Sequence, residues 1–273
     1  MFRKLRWPDH RPAEMTPQYG DMKERVPAVC HEPSAGNTAW YPPVMIGAGA
    51  LAELIMSPRQ VERARDLLLR LAPDDYGRYM IRFYEDGMRR FGSRWRYADL
   101  VTVLLGVAET LQPRRYLEIG VRRGRSVCAV ASLAPGCDLA LFDMWIQDYA
   151  GMDNPGPAFV RAELARVGHS GRCEFVDGDS HQTLPRYFAE HPEATFDLIT
   201  VDGDHSDEGA TRDLCDVLPR LAVGGVVALD DISHPAHPGL GAVWRRLVVD
   251  DARFASWSFD EVGYGVGFAV RRH

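Results

Sequence analysis

The sequence is poor in cysteine and lacks any pair with the C-x-x-C spacing. Its five cysteines are an odd number and therefore cannot all pair within the chain. Cys128 and Cys173 fall in apolar runs, where a free thiol usually acts as a small buried hydrophobic side chain. We therefore expect reduced thiols, as in a cytosolic protein. The five positions are Cys30, Cys128, Cys137, Cys173 and Cys215.

Long hydrophobic runs are also missing. The longest largely apolar run, residues 44–56, is interrupted by Glu53 and is too short to cross a bilayer. The basic start MFRKLRWPDHR is not followed by the apolar stretch of a secretory signal. We expect a soluble, cytoplasmic protein with no membrane partner.

The chain has no excess of positive charge. Its formal net charge is −6, whereas nucleic-acid-binding proteins usually carry a basic patch that neutralises phosphates. A nucleic-acid partner is therefore disfavoured. Hydrophobic residues make up 46% and charged residues 26% of the 273 positions, which is typical of a globular protein with a full core.

The distribution of prolines and apolar residues divides the chain into three segments. Residues 1–43 are rich in proline and polar residues and predict an extended N-terminal arm. Residues 44–111 predict a helical region, which we expect to act as a lid and to contribute to a homo-oligomer interface. Residues 112–273 predict the catalytic domain. Helices in the middle segment are predicted at about 57–73, 76–91 and 97–111.

From residue 114 onward, short apolar runs alternate with longer amphipathic stretches. This alternation of strands and helices is typical of an α/β protein with a doubly wound, mainly parallel sheet, in which ligands bind at the carboxyl ends of the strands. The last two strands, joined by DEVGY, predict an antiparallel pair. Strands are predicted at 114–119, 138–143, 173–177, 196–202, 225–231, 254–259 and 265–272, and helices near 125–134, 157–167, 181–190, 207–221 and 239–249.

The first predicted strand ends in the turn EIGVRRGRS. Gly120 allows a tight turn with a close backbone approach to a ligand, and Gly124 opens the next helix. The G-x-x-x-G spacing lacks the extra glycine of turns that hold a pyrophosphate. Glu118 precedes the turn, and its carboxylate suits a cationic ligand such as an amino group. The alternative is a purely structural strand-to-helix turn.

Polar side chains also follow the next two strands. Asp143 ends the second strand, where an acid can accept both hydroxyls of a ribose. A helix cap or a surface acid is the alternative there. Asp179 and Ser180 follow the third strand and could contact an adenine, although Ser180 could equally cap the helix that follows it.

Three aspartates follow the fourth and fifth strands. Asp202 ends the fourth strand, and Asp230 with Asp231 ends the fifth. Neighbouring strands lie about 4.8 Å apart, so these side chains should meet in one small region. Carboxylates this close repel one another unless a cation lies among them. Oxygen ligands favour Mg²⁺ or another hard divalent cation, while helix caps or solvated acids are the alternative.

Together these motifs resemble those of class I S-adenosylmethionine-dependent methyltransferases. The resemblance rests on E-I-G-x-x-x-G-x-S, the acid closing the second strand and D-G-D-S after the third, and it covers about residues 97–273. It implies a Rossmann-like, seven-stranded sheet whose last strand is antiparallel. It also implies S-adenosylmethionine as cofactor, with Glu118, Gly120, Gly124 and Ser126 at its methionine end, Asp143 at the ribose, Asp179 and Ser180 at the adenine, and Asp202 nearby.

The acidic residues resemble, more narrowly, those of metal-dependent small-molecule O-methyltransferases. The similarity is greatest to the macrocin, novobiocin and mycinamicin enzymes, which methylate sugar hydroxyls in antibiotic tailoring. It implies Mg²⁺ held by Asp202, Asp230 and Asp231, and a small-molecule hydroxyl as acceptor. The general base is either Asp204 or His205, since relatives use either position. The segment DGDHSDEG lacks the lysine of caffeoyl-CoA relatives, which disfavours a phenolic acceptor.

Other functions remain as alternatives. A nicotinamide-dependent oxidoreductase is disfavoured by the missing phosphate-binding glycine, and a non-catalytic partner subunit is disfavoured by the retained acids and His205. Metal-dependent transfer to RNA or to a protein side chain is a third alternative, and the acidic balance disfavours RNA. Hydroxylases of cephalosporin tailoring share parts of the pattern.

Two further groups of charged or titratable residues lie near the predicted site. We interpret Arg122, Arg123 and Arg125 as a solvated turn, with attraction of an acidic substrate as the alternative. We interpret His234 and His237 as residues of a plain loop, which could instead border the acceptor pocket.

Overall fold

The computed structural model describes residues 44–148 and 151–273. The predicted N-terminal arm, residues 1–43, lies outside the described residues. The helices are α1 (Ala48–Ile55), α2 (Pro58–Arg70), α3 (Asp75–Phe91), α4 (Leu100–Leu111), α5 (Arg125–Leu133), α6 (Pro157–Val167), α7 (Ser180–Glu190), α8 (Asp207–Val217) and α9 (Leu240–Trp244). The strands are β1 (Arg115–Ile119), β2 (Asp138–Asp143), β3 (Cys173–Asp177), β4 (Phe196–Val201), β5 (Leu221–Asp230), β6 (Phe254–Phe259) and β7 (Val266–Arg271).

The strands form a seven-stranded sheet in the order β3-β2-β1-β4-β5-β7-β6. Strands β1 to β5 run parallel to one another. Strand β7 is antiparallel to both of its neighbours, β5 and β6. This topology confirms the predicted doubly wound α/β fold with a reversed last strand. The order of the strands changes direction between β1 and β4, which is where such sheets bind ligands.

Both faces of the sheet are covered, because side chains of each central strand alternate between two cores. Tyr116 and Leu198 belong to the core shared with α1, α2, α4, α5 and α6. Leu117 and Ile199 belong to the core shared with α7, α8 and α9. Burial on both faces explains why the predicted parallel strands are near-continuous apolar runs in the sequence.

The N-termini of α3 and α4 are fixed by aspartate caps. The Asp99 carboxylate accepts a hydrogen bond from the Thr102 backbone N–H at 2.9 Å, and the Thr102 hydroxyl accepts one from the Asp99 N–H. This capping box starts α4 at Leu100 rather than at the predicted residue 97. Asp74 caps α3 in the same manner, through the Gly77 N–H at 2.8 Å.

Two elements differ from the prediction. Helix α1 lies within the apolar run 44–56, a part of the predicted helical region to which no individual helix was assigned. Strand β5 begins at Leu221 rather than at 225, because Leu221 pairs with Phe196 before a shift in register. The helix predicted to reach residue 221 therefore ends at Val217, and a short 3-10 helix, Leu218–Arg220, leads into the strand.

The helical region shares its core with the sheet. Helix α4 is buried over most of its surface and packs against α1, α2, α5 and β5. Val44–His273 accordingly form one compact unit. Within the described residues, no helix combines the length and apolar character needed to cross a membrane.

We expect the substitution Leu104→Ala in α4 to lower the free energy of unfolding by roughly 2–5 kcal/mol, because it removes a fully buried side chain from this shared core. Chemical denaturation of both proteins measures the difference. Leu69→Ala is the matched control, since Leu69 is 61% exposed on α2 and should change stability by less than about 0.5 kcal/mol. Equal effects of the two substitutions would show that α4 is not part of the core.

Candidate active site

A cavity of about 730 Å³ lies at the carboxyl ends of the central strands. It is bordered by the turns after β1, β2, β3, β4 and β5, as expected at the point where a doubly wound sheet changes direction. All but two of the sequence-predicted site residues line it. These are Gly120, Ser126, Asp143, Asp179, Ser180, Asp202, Asp204, His205, Asp230 and Asp231.

The turn after β1 requires glycine at residue 120. Gly120 has φ of +88°, and a Cβ atom there would lie 1.9 Å from the Asp202 carbonyl oxygen. The Asp202 N–H donates to the Ile119 carbonyl at 2.9 Å, which holds the ends of β1 and β4 together. Any side chain at residue 120 would therefore push these two ends of the site apart.

Glu118 is one of the two predicted residues that do not line the cavity. Its carboxyl group is fully buried and accepts a hydrogen bond from the Ser126 hydroxyl at 2.5 Å and another from the Tyr116 hydroxyl. Burial, with smaller contributions from the charges of Asp202 and Asp143, raises the pKa of Glu118 to about 8. Ser126, which does line the cavity, connects this acid to the ligand space.

Gly124 is the other residue that does not line the cavity. It is the N-cap of α5, with φ of +72°. A Cβ atom at this position would lie 2.8 Å from Cγ1 of Val160 on α6. Its contribution to the site is to let α5 and α6 approach closely.

Asp143 lies at the cavity wall and binds the backbone of two loops. Its Oδ2 accepts a hydrogen bond from the Arg122 N–H at 2.7 Å, and its Oδ1 accepts one from the Trp145 N–H at 2.6 Å. The Asn154 amide also donates to Oδ1 at 3.3 Å. Because each carboxylate oxygen has two lone pairs, these three bonds leave one lone pair, on Oδ2, for a ligand hydroxyl.

The turn after β3 leads directly into α7. Asp179 caps this helix by accepting a hydrogen bond from the His181 N–H at 2.9 Å, which lowers the pKa of Asp179. Ser180 is the first residue of α7. Sequence reasoning missed Asp213, a fully buried acid of α8 whose Oδ1 lies 3.6 Å from Nε2 of His181. The only sign of Asp213 in the sequence is an acidic residue next to Leu214, on the apolar face of α8.

The acidic end of the cavity brings residues after β4 and β5 together. Ligand atoms of Asp202, His205 and Asp231 all lie within 4.8 Å of one another. Asp230 lines the same end, although it is not a member of that group. Burial raises the pKa of both Asp230 and Asp231, and the negative charge of Asp202 adds to each shift. A positive charge among these acids would therefore stabilise their ionised forms.

His205 lies between two of these carboxylates. Its Nε2 is 3.2 Å from Oδ1 of Asp202, and its Nδ1 is 3.8 Å from Oδ2 of Asp231. Burial alone lowers the pKa of His205, but the hydrogen bond with Asp202 and the surrounding negative charges outweigh it and raise the pKa. Asp231 adopts φ of +59°, a left-handed conformation that aspartate tolerates better than most residues.

Asp204, the second predicted base, is exposed and bound within its own turn. Its Oδ1 accepts a hydrogen bond from the Ser206 N–H at 2.8 Å. Its carboxylate also fills the space beside Gly209, where a Cβ atom would lie 2.0 Å from Oδ2. Asp204 therefore helps to shape the connection between β4 and α8.

The remaining lining of the cavity comes from the helical region and from the loops after β5 and β6. The helical region contributes apolar, aromatic and acidic side chains for which no motif exists. His234 and His237 line the cavity together with Tyr264, so the alternative in which these histidines border a pocket fits better than a plain loop, and the rings of His234 and Tyr264 are 4.0 Å apart between centroids. The lining residues of the helical region are Leu68, Tyr76, Met80, Tyr84, Asp99, Leu100 and Val101.

The arginines after β1 also face the cavity, so the interpretation as a solvated turn is wrong. All three line it, and Arg123 is only 8% exposed. Arg125 binds Asp74, while Arg123 pairs with Asp74 at 3.5 Å and Asp153 at 2.9 Å. Acidic side chains at the N-terminus of α3 and in the loop after β2 therefore hold the guanidinium groups of Arg123 and Arg125 beside the cavity.

We expect Glu118→Gln to change how stability depends on pH. Because folding raises the pKa of this acid from 4.5 to about 8, the folded protein between these values keeps a proton that the unfolded chain has released. Stability of the ligand-free wild type should therefore fall with rising pH across this window, relative to the variant, by at most about 1.4 kcal/mol per pH unit.

Chemical denaturation at several pH values between about 5 and 8 measures this difference. Glu190→Gln, an exposed acid at the end of α7, is the control and should follow the wild type. Parallel curves for the wild type and Glu118→Gln would show that Glu118 is already ionised in the folded protein.

Comparison with known proteins identifies the domain. Residues 117–232 match the family model described as a methyltransferase domain. No curated protein matches the sequence. Several solved structures share the fold at low sequence identity.

The O-methyltransferase TomG from Streptomyces achromogenes, solved in complex with SAM, is 22% identical, with 74% of this chain and 92% of that chain covered and a TM-score of 0.51. A putative O-methyltransferase from Klebsiella pneumoniae is 18% identical, with 84% and 93% covered and a TM-score of 0.51. An O-methyltransferase from Bacillus cereus in complex with SAH is 18% identical, with 62% and 79% covered and a TM-score of 0.50. Residues 117–232 therefore match a methyltransferase domain, as the resemblance in the sequence predicted, and the chain shares the fold of these solved structures.

Proposed function

We propose that this enzyme transfers a methyl group from S-adenosylmethionine to a hydroxyl of a small molecule, with Mg²⁺ or another divalent cation at the acidic end of the cavity. The observation that carries the proposal is that carboxylate oxygens of Asp202 and Asp231 and a ring nitrogen of His205 lie within 4.8 Å of one another, which would bring two oxygen ligands and a base together. This cluster lies in the same cavity as the turn after β1, where the methyl donor binds in the predicted family.

The donor would occupy the part of the cavity between the turns after β1 and β3. Its amino group would lie near Ser126, with Glu118 behind it ready to ionise and balance the positive charge. Asp143 has a free lone pair on Oδ2 for a ribose hydroxyl, and Asp179 with Ser180 would border the adenine position. A volume of about 730 Å³ is typical of cavities that enclose a ligand of this size.

The acidic end fits a hard divalent cation. Asp202 and Asp231 offer carboxylate oxygens, the ligands that Mg²⁺ prefers, and Asp230 adds negative charge at the same end. Burial raises the pKa of Asp230 and Asp231, and the negative charge of Asp202 adds to both shifts, so a bound cation would stabilise the ionised forms of these acids. When bound, the metal would lower the pKa of a hydroxyl that coordinates it and stabilise the resulting charge.

We propose His205 as the general base. It lies beside Asp202 at 3.2 Å and lines the cavity at the acidic end, within reach of a hydroxyl held there. Asp204 instead binds the Ser206 N–H and supports its own turn. The residues of the chain would then hold the acceptor oxygen, remove its proton at a ring nitrogen of His205 and keep the two reactants aligned.

The acceptor would be a sugar or another secondary-metabolite hydroxyl, as in natural-product tailoring. The wall formed by Tyr76, Met80, His237 and Tyr264 offers ring faces and apolar surface beside the acidic cluster. TomG, one of the structures with the same fold, is involved in tomaymycin synthesis. The helical region would help to enclose this acceptor.

A homo-oligomer remains part of the proposal. Apolar side chains are exposed on the helical region, among them Leu54 on α1, Leu69 on α2 and Phe91 on α3. Sedimentation of the purified chain determines whether these surfaces bring copies together, and a monomer at all concentrations would refute this part.

We expect Mn²⁺, used as a probe for the divalent site, to bind the wild type, and Asp202→Asn or Asp231→Asn to weaken binding at least about tenfold, because each variant removes a charged oxygen ligand. Electron paramagnetic resonance of free Mn²⁺ measures the affinity. The control is Asp260→Asn, which changes an exposed acid in the loop between β6 and β7. Equal affinity in all four proteins would remove the metal from the proposal.

We expect His205→Gln to lower kcat by roughly 10²–10⁴-fold, since it removes the general base. The assay uses labelled S-adenosylmethionine and the best acceptor found by screening sugars and other polyhydroxylated compounds. Asp204→Asn is the matched variant and should stay within a few-fold of the wild type, because its amide oxygen can still accept from the Ser206 N–H. The reverse pattern would assign the base to Asp204.

A further inference from the structure

Arg122 occupies a special position in the turn after β1. Its backbone N–H donates to Oδ2 of Asp143 at 2.7 Å. Its φ of +51° gives the chain a sharp bend at this residue. Its side chain lines the cavity. The guanidinium is therefore carried on a fixed stretch of backbone between the ribose acid and the start of α5.

Arg122 differs from the two arginines that follow it, because it has no acidic partner. Arg123 and Arg125 pair with Asp74, and Arg123 also pairs with Asp153. Among the residues that the structure describes, no carboxylate oxygen lies within 4.0 Å of the Arg122 guanidinium. Its Nε is buried without a hydrogen-bond partner, and its terminal nitrogen contacts the Met152 sulfur at 2.5 Å.

The environment of the Arg122 guanidinium is unfavourable for a cation. A thioether sulfur is a weak acceptor, whereas a guanidinium offers five N–H donors in a planar arrangement that matches a carboxylate. Burial, together with the charge of Arg125, lowers the pKa of Arg122. An anionic group that entered the cavity beside this turn would supply the missing acceptors.

The methyl donor carries such a group next to the amine. In S-adenosylmethionine the α-carboxylate and the α-amino group share one carbon atom. The proposed function places the amino group near Ser126, which lies four residues after Arg122. Glu118, on the strand before Arg122, lies behind it. The carboxylate would therefore be held at the same turn, on the side where the unpaired guanidinium lies.

We propose that Arg122 binds the α-carboxylate of S-adenosylmethionine and is the residue by which this enzyme distinguishes the intact amino acid moiety of its donor. The inference rests on the donor site of the proposed function, but it does not depend on the metal or on the acceptor. Arg122 is a binding residue rather than a catalytic one. Because the carboxylate does not change during methyl transfer, the interaction stabilises ground state and transition state alike.

The test compares two ligands that differ only in the carboxylate, S-adenosylmethionine and its decarboxylated analogue, by calorimetry. We expect the wild type to prefer the intact donor by roughly 10- to 100-fold, the range of a hydrogen bond to a charged group. Arg122→Gln should lose most of this preference by weakening the intact donor alone. Arg122→Lys, which keeps the charge but not the planar pair of donors, should retain part of it.

The control is Arg90→Gln, which removes an exposed arginine near the end of α3 and should keep the wild-type preference. Equal weakening of both ligands in Arg122→Gln would indicate a merely structural role and overturn the assignment. An unchanged donor affinity with a raised KM for the acceptor would show that the anion belongs to the acceptor, and would also overturn it. Failure of the wild type to bind either ligand would instead refute the donor site itself.

Discussion

The contact between the turns after β1 and β4 determines the arrangement of the whole cavity. The α-carbon of Gly120 lies against the Asp202 carbonyl group so closely that no side chain fits between them. The distance from the donor turn to the acidic cluster is therefore set by backbone atoms, which vary less than long side chains do. Methyl transfer needs its reactants aligned to within a fraction of an ångström, and this contact provides a rigid reference for that alignment.

The charges of the site are arranged so that the protein alone is electrostatically unsatisfied. Glu118 is buried with a pKa of about 8, the pKa values of Asp230 and Asp231 are raised by burial and by neighbouring charge, and Arg122 has no acidic partner within residues 44–148 and 151–273. Perturbed groups of this kind are typical of functional sites. Each would be relieved by one part of the proposed ligands: Glu118 by an amine, the aspartates by a cation and Arg122 by a carboxylate.

The sequence predicted the sheet and named ten residues that line the cavity, because both depend on local patterns. Buried parallel strands are continuous apolar runs, and the residues that end them reach the same edge whatever the details of packing. The burial of Glu118 and the exposure of the three arginines to the cavity depend instead on how the turn folds over the strand end. Asp213 and the residues of the helical region carry no motif, since only the tertiary structure places Asp213 beside His181 and the residues of the helical region in the cavity lining. Helix α1 was missed because an apolar run of that length is compatible with several environments.

The division of the cavity between the sheet and the helical region bears on how such an enzyme selects its acceptor. In the proposed function, the turns after the strands supply the groups for the donor, the cation and the base. The helical region contributes Tyr76 and Met80 to the lining of the same cavity. Because α4 packs against β5 and α5, this part of the lining is joined to the sheet through a shared core. We therefore expect the acceptor to be selected by the shape and polarity of these side chains, rather than by movement of a separate domain.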